Sequence, residues 1–405
     1  MTNPNLRWCS GTSSRALLLC VTLAAALLGG CNQPSAASLA LAPPEVSEEV
    51  GLVDDWVLEY VRTIGPGVLP PSFVFRGPMG MGRDGRLITM SNADCKTAVL
   101  HTTTGAVERY FGRCGDGPHE TRSIGGIGIA RDTILRLSPF GGRIEFVGPD
   151  DTVVRVLRVN ALVQTSIRNV HSFEVVDDTT AFVAVVRLPA GLVESDDDWL
   201  YAFVDLRYGT VRPHGFREPA RRTASIEENM RFYSACMHGK RRTPIIINNG
   251  PVEVVALGDD GAPRWARTYA VPAIRPITEP LNRNTAAFIW NHLPRPPACG
   301  GSVAAILAMP IDGAGMPPVL GHLILIDYEG RTLMNHPFAD TDSILATAGW
   351  EADDSLFYVS ARLSPTPALL VLRPRPRRPG EQGVVLLPDS VVARLNADPL
   401  EGVFE

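Results

Sequence analysis

Gly82-Arg-Asp-Gly-Arg-Leu-Ile-Thr-Met90 and Ala130-Arg-Asp-Thr-Ile-Leu-Arg-Leu137 carry one pattern twice, an Arg-Asp turn that opens into an apolar strand. Asp84 and Asp132 lie 48 residues apart. Further on, Thr104-Gly-Ala-Val-Glu-Arg-Tyr110 and Asp151-Thr-Val-Val-Arg-Val156 repeat in step, with Arg109 and Arg155 separated by 46. Arg143-Ile-Glu-Phe-Val147 supplies another strand inside the second copy. A period of this length accommodates four strands of about ten residues each, which is one blade of a β-propeller.

Working outward, the body of the chain is a series of short β runs: Ala98-Val-Leu-His-Thr102, Ala181-Phe-Val-Ala-Val-Val186, Ile245-Ile-Ile247, Val252-Glu-Val-Val-Ala-Leu257, His322-Leu-Ile-Leu-Ile-Asp327 and Leu369-Leu-Val-Leu372. Gly, Pro, Asn and Asp separate them, and no 3.6-residue period is sustained. Asp205-Leu-Arg-Tyr-Gly209, Gly258-Asp-Asp-Gly261 and Asp327-Tyr-Glu-Gly330 read as hairpin turns in which Gly or Asp accepts positive φ. The expectation is an all-β domain over residues 52–405, a six-bladed β-propeller of four-stranded antiparallel blades. Its inner strands begin near Phe73, Ile124, Ser172, Met230, Ala286 and Ile344. The run Trp56-Val-Leu-Glu-Tyr-Val-Arg-Thr-Ile64 resembles the outer strand of a blade, and as an N-terminal strand it closes the ring on the last blade, removing exposed edges. Val384-Val-Leu-Leu387 competes for the same outer position.

The first residues tell a separate story. Arg7 and Arg15 precede the apolar run Ala16–Leu28, with no acidic residue before position 31. Thirteen helical residues rise about 20 Å, short of the ~30 Å hydrocarbon core of a bilayer. A basic start, a short apolar stretch and small residues describe a secretory signal peptide over residues 1–30. Leu28-Gly-Gly-Cys31 resembles the bacterial lipobox, and that resemblance implies cleavage before Cys31, lipid attachment at its thiol and acylation of its freed amine. Several acyl chains, at about 0.8 kcal/mol per buried CH₂, hold a stable anchor. Asn32 in place of Asp implies an outer-membrane address by the sorting pattern of enteric bacteria. Residues 31–51, rich in Ala, Ser, Pro and Glu, read as the acylated Cys and a flexible tether.

Without Arg7 and Arg15 the mature chain holds 36 basic against 43 acidic residues, a net charge of −7. This argues against nucleic acid or anionic lipid headgroups as the main partner. Of seven cysteines, Cys95, Cys114, Cys236 and Cys299 remain once the signal and anchor are set aside. An even number in an exported domain reads as disulfides, and four cysteines allow three pairings. No CxxC pair exists.

Arg109-Tyr-Phe-Gly-Arg-Cys-Gly-Asp-Gly-Pro-His-Glu120 continues into Ile124-Gly-Gly-Ile-Gly-Ile-Ala-Arg-Asp-Thr-Ile-Leu135 and Gly142-Arg-Ile-Glu-Phe-Val147. Together these resemble NHL-like six-bladed propellers, including a bacterial lipoprotein group with a Gly-x-x-Gly-x-Gly-Pro-Gly-Glu turn between blades. Gly112, Gly115, Gly117, Pro118 and Glu120 match that turn. His119 replaces a Gly, and Leu137-Ser-Pro139 stands where the family usually has an Asp. The match covers about one blade and implies a fold, mostly used as a binding scaffold with scattered enzymes. The turn must carry the chain from the rim of one blade to the centre of the next, which glycines allow and Pro118 stiffens. In a propeller, Cys95 falls in a second-to-third-strand turn and Cys114 in the neighbouring rim-to-centre turn, on one face. Cys236 falls late on an inner strand and Cys299 just past the next one. Strand order therefore favours Cys95–Cys114 and Cys236–Cys299.

No catalytic motif stands out. Gly115-Asp-Gly-Pro118 lacks the Lys-Ser/Thr and following helix of a phosphate loop, and no Gly-x-Ser-x-Gly elbow appears. The eight histidines are scattered without HxH or HxxxH spacing, and His101 and His322 fall inside strands. Glu194 and Asp196-Asp-Asp-Trp199 form an acidic cluster without the spacing of a calcium loop, which reads as a solvated loop. Arg373-Pro-Arg-Pro-Arg-Arg-Pro379 reads as an exposed polyproline-form hairpin loop, or more sharply as a groove-binding segment. No metal or cofactor is implied. The remaining site is the channel mouth, where inner strands begin and Arg122, Arg168, Asn169, His171, Glu228, Asn229, Arg283, Asn284, Asp340 and Asp342 would converge. The expectation is a cell-envelope binding module, held to the membrane by its lipid anchor and recognising an envelope protein or a small ligand. The alternative is an enzyme of the lyase or lactone-hydrolase type working at the central channel.

Overall fold

A computed structural model of the chain describes residues 49–65, 79–82, 85–91, 95–115, 120, 125–138, 142–163, 168–187, 199, 201–214, 233–237, 244–249, 252–269, 297–308, 321–338, 344–350, 355–363, 366–381 and 384–396. The chain divides into two compact units, Met1–Leu39 and Ala40–Glu405, and every described residue belongs to the second.

The described strands run in chain order as follows. β1 (Glu49–Val50) and β2 (Trp56–Ile64) come first. Blade 1 is β3 (Met79–Met81), β4 (Arg86–Ser91), β5 (Lys96–His101) and β6 (Val107–Phe111). Blade 2 is β7 (Gly126–Ala130), β8 (Thr133–Ser138), β9 (Arg143–Val147) and β10 (Val153–Arg158). Blade 3 is β11 (Arg168–Asp177), β12 (Thr180–Arg187), β13 (Tyr201–Asp205) and β14 (Val211–His214). Blade 4 is β15 (Tyr233–Met237), β16 (Pro244–Asn249), β17 (Val252–Leu257) and β18 (Pro263–Tyr269). Blade 5 is β19 (Ala298–Cys299), β20 (Val303–Ala308), β21 (Gly321–Asp327) and β22 (Thr332–Phe338). Blade 6 takes β23 (Ile344–Trp350), β24 (Phe357–Leu363) and β25 (Thr366–Pro376), with β2 as its fourth strand and β26 (Val385–Leu386) outside that. Among the described residues one α-helix, α1 (Asp389–Asn396), follows. The inner strands touch in the order β3, β7, β11, β15, β19, β23 and back to β3, so the six sheets form a closed ring.

Side-chain alternation explains why these strands read as almost unbroken apolar runs. On β21, Leu323 and Leu325 join a core shared with blade 6, while Ile324 and Ile326 join one shared with blade 4. On β25, Leu370 and Leu372 face blade 5, and Leu369 and Val371 face blade 1. On β4, Leu87 faces blade 6, and Ile88 and Met90 face blade 2. Both faces of each sheet are buried, so polar alternation disappears. Each fully buried Leu or Ile contributes about 2 kcal/mol.

Two features set how the blades meet. At the hub, β7 carries Gly126 and Gly128 where β11 packs closest. A Cβ at Gly126 would collide with the Phe173 side chain, and one at Gly128 would lie 2.5 Å from Val175 Cγ2. At the rim, an outer-strand side chain donates to the third-to-fourth turn of the next blade. Arg62 bonds the Thr102 carbonyl, Arg109 Nη2 donates to Gly148 O at 2.5 Å, Arg155 Nη2 to Arg207 O at 2.6 Å, and Trp265 Nε1 to Tyr328 O at 3.2 Å. The spacing of Arg109 and Arg155 in the sequence is this clasp repeated. The turns are held by aspartates: Asp205 accepts from Arg207 N at 2.7 Å, Asp260 from Ala262 N at 2.9 Å, and Asp327 from Arg331 N at 2.8 Å. Arg86–Asp132 (3.3 Å) and Arg131–Asp178 (2.5 Å) link first-to-second turns across blades 1 to 3. They are exposed, so each is worth well under about 1 kcal/mol.

Both candidate closing segments are used. β2 pairs antiparallel with β25 over Trp56↔Pro376 to Ile64↔Leu369, and β26 pairs parallel outside β2. The chain reaches β2 along the outer edges of blades 4 and 5. β1 lies parallel on β18, Val53 bridges Asn335, and Asn335 Nδ2 donates to Gly51 O at 2.7 Å while its Oδ1 meets His322 Nε2 at 2.7 Å. Glu49 and Val50, at the end of the expected tether, are therefore strand.

Three further expectations change. The basic run from Arg373 is not a polyproline loop: Arg373–Pro376 extend β25 by pairing with Trp56–Glu59, and carboxylates of that segment together with Glu381 neutralise its arginines. Arg375 pairs with Glu59 at 3.3 Å and Glu381 at 2.7 Å, and Arg377 with Asp54 at 3.3 Å. The inner strand of blade 3 begins at Arg168, ahead of Ser172, because two register shifts let it pair over ten residues. The described inner strand of blade 5 contains Cys299 instead of preceding it. Phe73, Ile124, Met230 and Ala286 lie outside the described residues, and the described inner strands nearest the first three begin at Met79, Gly126 and Tyr233.

The hub contact is testable. Gly126→Ala will lower unfolding free energy by roughly 2–3 kcal/mol through overpacking against Phe173. Gly51→Ala, with nothing within 4 Å of its Cβ position, will change it by less than about 0.5 kcal/mol. Urea titrations of both variants check this.

Candidate functional site

Of the residues expected at the channel mouth, Arg168, Asn169 and His171 lie on β11. Arg122, Glu228, Asn229, Arg283, Asn284, Asp340 and Asp342 lie outside the described residues, as do Glu194 and Asp196 to Asp198 of the acidic cluster. The chemistry that can be built atom by atom lies in two places, one at the seam of blades 1 and 2 and one at the hub between blades 3, 4 and 5.

At the first seam, Cys95 and Cys114 are bridged with Cα atoms 5.1 Å apart. Below them, Arg136 on β8 and Glu145 on β9 stand directly opposite in register and pair at 2.7 Å, at 2 % and 1 % side-chain exposure. Arg143 approaches the other Glu145 oxygen at 3.7 Å and donates to Glu120 O at 3.4 Å. The Arg136 and Arg109 guanidiniums both lie over the Phe111 ring, at 5.6 Å and 5.0 Å. Gly112 and Gly115, at the described start of the inter-blade turn, lie against this cluster and are required there. At Gly112 (φ 111°) a Cβ would lie 2.5 Å from Cys95 O and 3.3 Å from Arg136 Nη1, and at Gly115 (φ 152°) it would occupy the place of the Glu120 carboxylate.

At the hub, Cys236 on β15 is bridged to Cys299 on β19 with Cα atoms 5.5 Å apart, tying blade 4 to blade 5. These are the two pairings that strand order favours. Closed loops of this length add about 3 and about 4 kcal/mol in the chain-entropy description. Next to Cys236, the Met237 N–H donates to Glu174 Oε2 at 2.8 Å, from blade 4 to the inner strand of blade 3. Desolvation pushes the Glu174 carboxyl up to about 8, against the opposing effect of the Met237 N–H. It therefore holds a proton at neutral pH and can donate a hydrogen bond as an acid. Neither cause is a charged neighbour, so the group behaves as a single acid rather than one member of a carboxylate pair.

Two histidines are structural. Burial, then Arg212, pushes His214 down to about 4, and its ring meets Phe203 edge-on at 4.8 Å. His322 is lowered by burial against its bond to Asn335. Arg136, Glu145 and Glu174 are the residues that the sequence reading passes over, each lying inside a strand. For the first two a signal exists: opposite charges equidistant from the β8–β9 turn, each flanked by apolar residues.

No family model matches the chain, and no curated protein matches it in sequence. Among solved structures it is similar to a member of the DUF4221 family from Bacteroides vulgatus, with 11% identity over 80% of this chain and 99% of that one and a TM-score of 0.57. It is also similar to a candidate exported protein from Bacteroides fragilis, with 10% identity over 82% and 98% of the two chains and a TM-score of 0.51. A gluconolactonase from Xanthomonas campestris aligns at 10% identity over 80% and 97%, with a TM-score of 0.46. At these identities the first two likenesses speak for the fold alone.

Two outcomes follow from the geometry. Arg136→Met leaves Glu145 buried without its partner and will cost roughly 3–5 kcal/mol, whereas Arg136→Met with Glu145→Leu will cost less than the single change. Equilibrium unfolding of both variants checks this. For Glu174 the folded-state value near 8 exceeds the unfolded 4.5. Its contribution is fully present below about pH 4.5 and lost as pH rises through about 8. Glu174→Gln removes that dependence, so wild type will lose roughly 1–2 kcal/mol relative to the variant between pH 5 and pH 8.5, a figure reduced because the side chain is partly exposed. Unfolding curves across that range measure it.

Proposed function

We propose that the chain is an exported, lipid-anchored propeller of the cell envelope that works as a binding module. The observation that carries this is the pair of bridges, Cys95–Cys114 and Cys236–Cys299, formed by the four cysteines left once the leader and Cys31 are set aside. Structural disulfides belong to oxidising compartments outside the cytoplasm. The leader reading adds the anchor, with Leu28-Gly-Gly-Cys31 resembling a lipobox and Asn32 pointing to the outer membrane. The turn from Gly112 to Glu120 supports kinship with NHL-like lipoprotein propellers. The partner is an envelope protein or a small ligand, met at the channel mouth around Arg168, Asn169 and His171. A net charge of −7 argues against nucleic acid.

Glu174 favours a second reading, a propeller enzyme of the lyase or lactone-hydrolase type. A carboxyl that stays protonated at neutral pH is the kind of group a general acid needs. A catalytic constellation also needs a second positioned group or a metal. Among the described residues, no three His, Cys, Asp or Glu side chains converge as a metal site would require.

Two measurements test it. Cells expressing the chain and fed an alkyne-tagged palmitate will label it, and the labelled protein will enter the detergent phase on Triton X-114 partition. Cys31→Ala will abolish both. Label retained by Cys31→Ala, or none on wild type, refutes the anchor. Native purification followed by mass spectrometry will find a bound species that is lost in Arg168→Ala/His171→Ala. A species that persists in that variant places recognition elsewhere.

A further inference from the structure

The two bridges differ in what a reagent from solution can reach. Cys114 is exposed and its partner Cys95 is buried. Cys236 is fully buried, and Cys299 is half-buried against the core that blades 4 and 5 share.

They differ also in what they hold. Cys236–Cys299 runs from β15 to β19, from one blade to the next. Cys95 and Cys114 lie at the open end of one hairpin, β5–β6, which is already paired from Thr97↔Phe111 to Leu100↔Val107. That ladder is anchored on both sides, by Ala98 and Leu100 in the core shared with blade 6 and by Val99 and Phe111 in the core shared with blade 2. With the first bridge open, the ladder still keeps the two ends of the hairpin together, and the ring stands.

Cys95 sits at φ 55°, in the left-handed region that L residues enter at a cost. Bridges that are exposed or strained are the ones that exchange with outside thiols, whereas buried ones persist. The charges beside Cys114 are mixed. Arg113 is exposed next to it, and the Glu120 carboxylate occupies the Cβ place of Gly115. Access, rather than charge, therefore sets the reactive sulfur.

We propose that Cys95–Cys114 is an exchangeable bond, opened at the Cys114 sulfur by a dithiol protein of the cell envelope, while Cys236–Cys299 stays closed as a structural tie. A thiolate of the partner forms a bond to Cys114 Sγ as the Cys114–Cys95 bond breaks, and the electron pair leaves on Cys95 Sγ, which takes a proton from solvent. The partner's second thiol then breaks the mixed disulfide. The chain gains two thiols and the partner leaves as a disulfide. Opening the bond cuts the covalent tie between the β4–β5 turn and the start of the turn leading to β7, and so releases that turn. The proposal rests on the exported reading only for the partner's compartment.

The test uses the full chain in detergent, treated with dithiothreitol at neutral pH, quenched at intervals with N-ethylmaleimide and mapped by peptide mass spectrometry. Cys95 and Cys114 will label at least about tenfold faster than Cys236 and Cys299, with the near-ultraviolet circular dichroism of the folded ring retained. Both bridges opening together as that signal is lost, or Cys236–Cys299 opening first, overturns the proposal. Cys95→Ser will leave a Cys114 thiol that reacts in the folded chain, and Cys114→Ser a Cys95 thiol that reacts only in denaturant. The reverse order overturns the choice of sulfur. A thioredoxin whose resolving cysteine is replaced by serine will be trapped on Cys114. Reaction with dithiothreitol but no such adduct overturns the protein partner. None of these readouts depends on the lipid anchor, so loss of the palmitate label would refute the anchor and leave them standing.

Discussion

Pairing between Trp56–Ile64 and Thr366–Pro376 joins the two ends of the folded unit, and the ring depends on it. Each sheet has two apolar faces and can bury both only between two neighbours. A row of six sheets would leave the outward faces of blades 1 and 6 bare. Taking the last blade's outer strand from the start of the chain lets Leu369 and Val371 of blade 6 meet Leu87 and Leu100 of blade 1. The same strand carries Arg62, which clasps the third-to-fourth turn of blade 1. Glu59, Asp54 and the arginines of β25 then neutralise one another at the junction. The closing interactions span most of the sequence, so they form late and carry a large loop-closure cost.

Much of this architecture was legible. The 46- to 48-residue period survives because several blades use a turn aspartate and a rim donor at the same place, as Arg62, Arg109 and Arg155 do. The disulfide pairing was legible because strand order fixes which turns share a face. Other parts were hidden for physical reasons. Arg373–Pro376 reads as a loop because a Pro-Arg alternation has no local reason to be a strand. It becomes one by pairing with Trp56–Glu59, more than 300 residues away, whose Glu59 joins the nearby Glu381 in neutralising Arg375. The start of blade 3 moved to Arg168 because bulges extend its pairing, and bulges leave no composition signature. Glu174 was invisible since its environment comes from the backbone of another blade, 63 residues away.

The polar groups buried in the seams separate into two kinds. Arg136 and Glu145 are matched charges fixed in register, locked under the Cys95–Cys114 bridge and the inter-blade turn, and they act on rigidity and specificity of packing. Glu174 is a single acid on a hub strand, beside the Cys236–Cys299 bridge, and its proton depends on pH in the neutral range. A rigid ring held by two bridges suits a scaffold that presents loops and edges to partners, which is how the binding reading fits the fold.

The central claim is that β2 belongs to the same cooperative unit as the blades it joins. Hydrogen exchange of the full chain, followed residue by residue by mass spectrometry, tests it most directly. The account predicts that amides of Val57 to Ile64 exchange together with those of β24 and β25, at the rate of global unfolding. Rapid exchange of β2 while β24, β25 and blade 1 stay protected would show that the ring stands without its closing strand and would contradict the account.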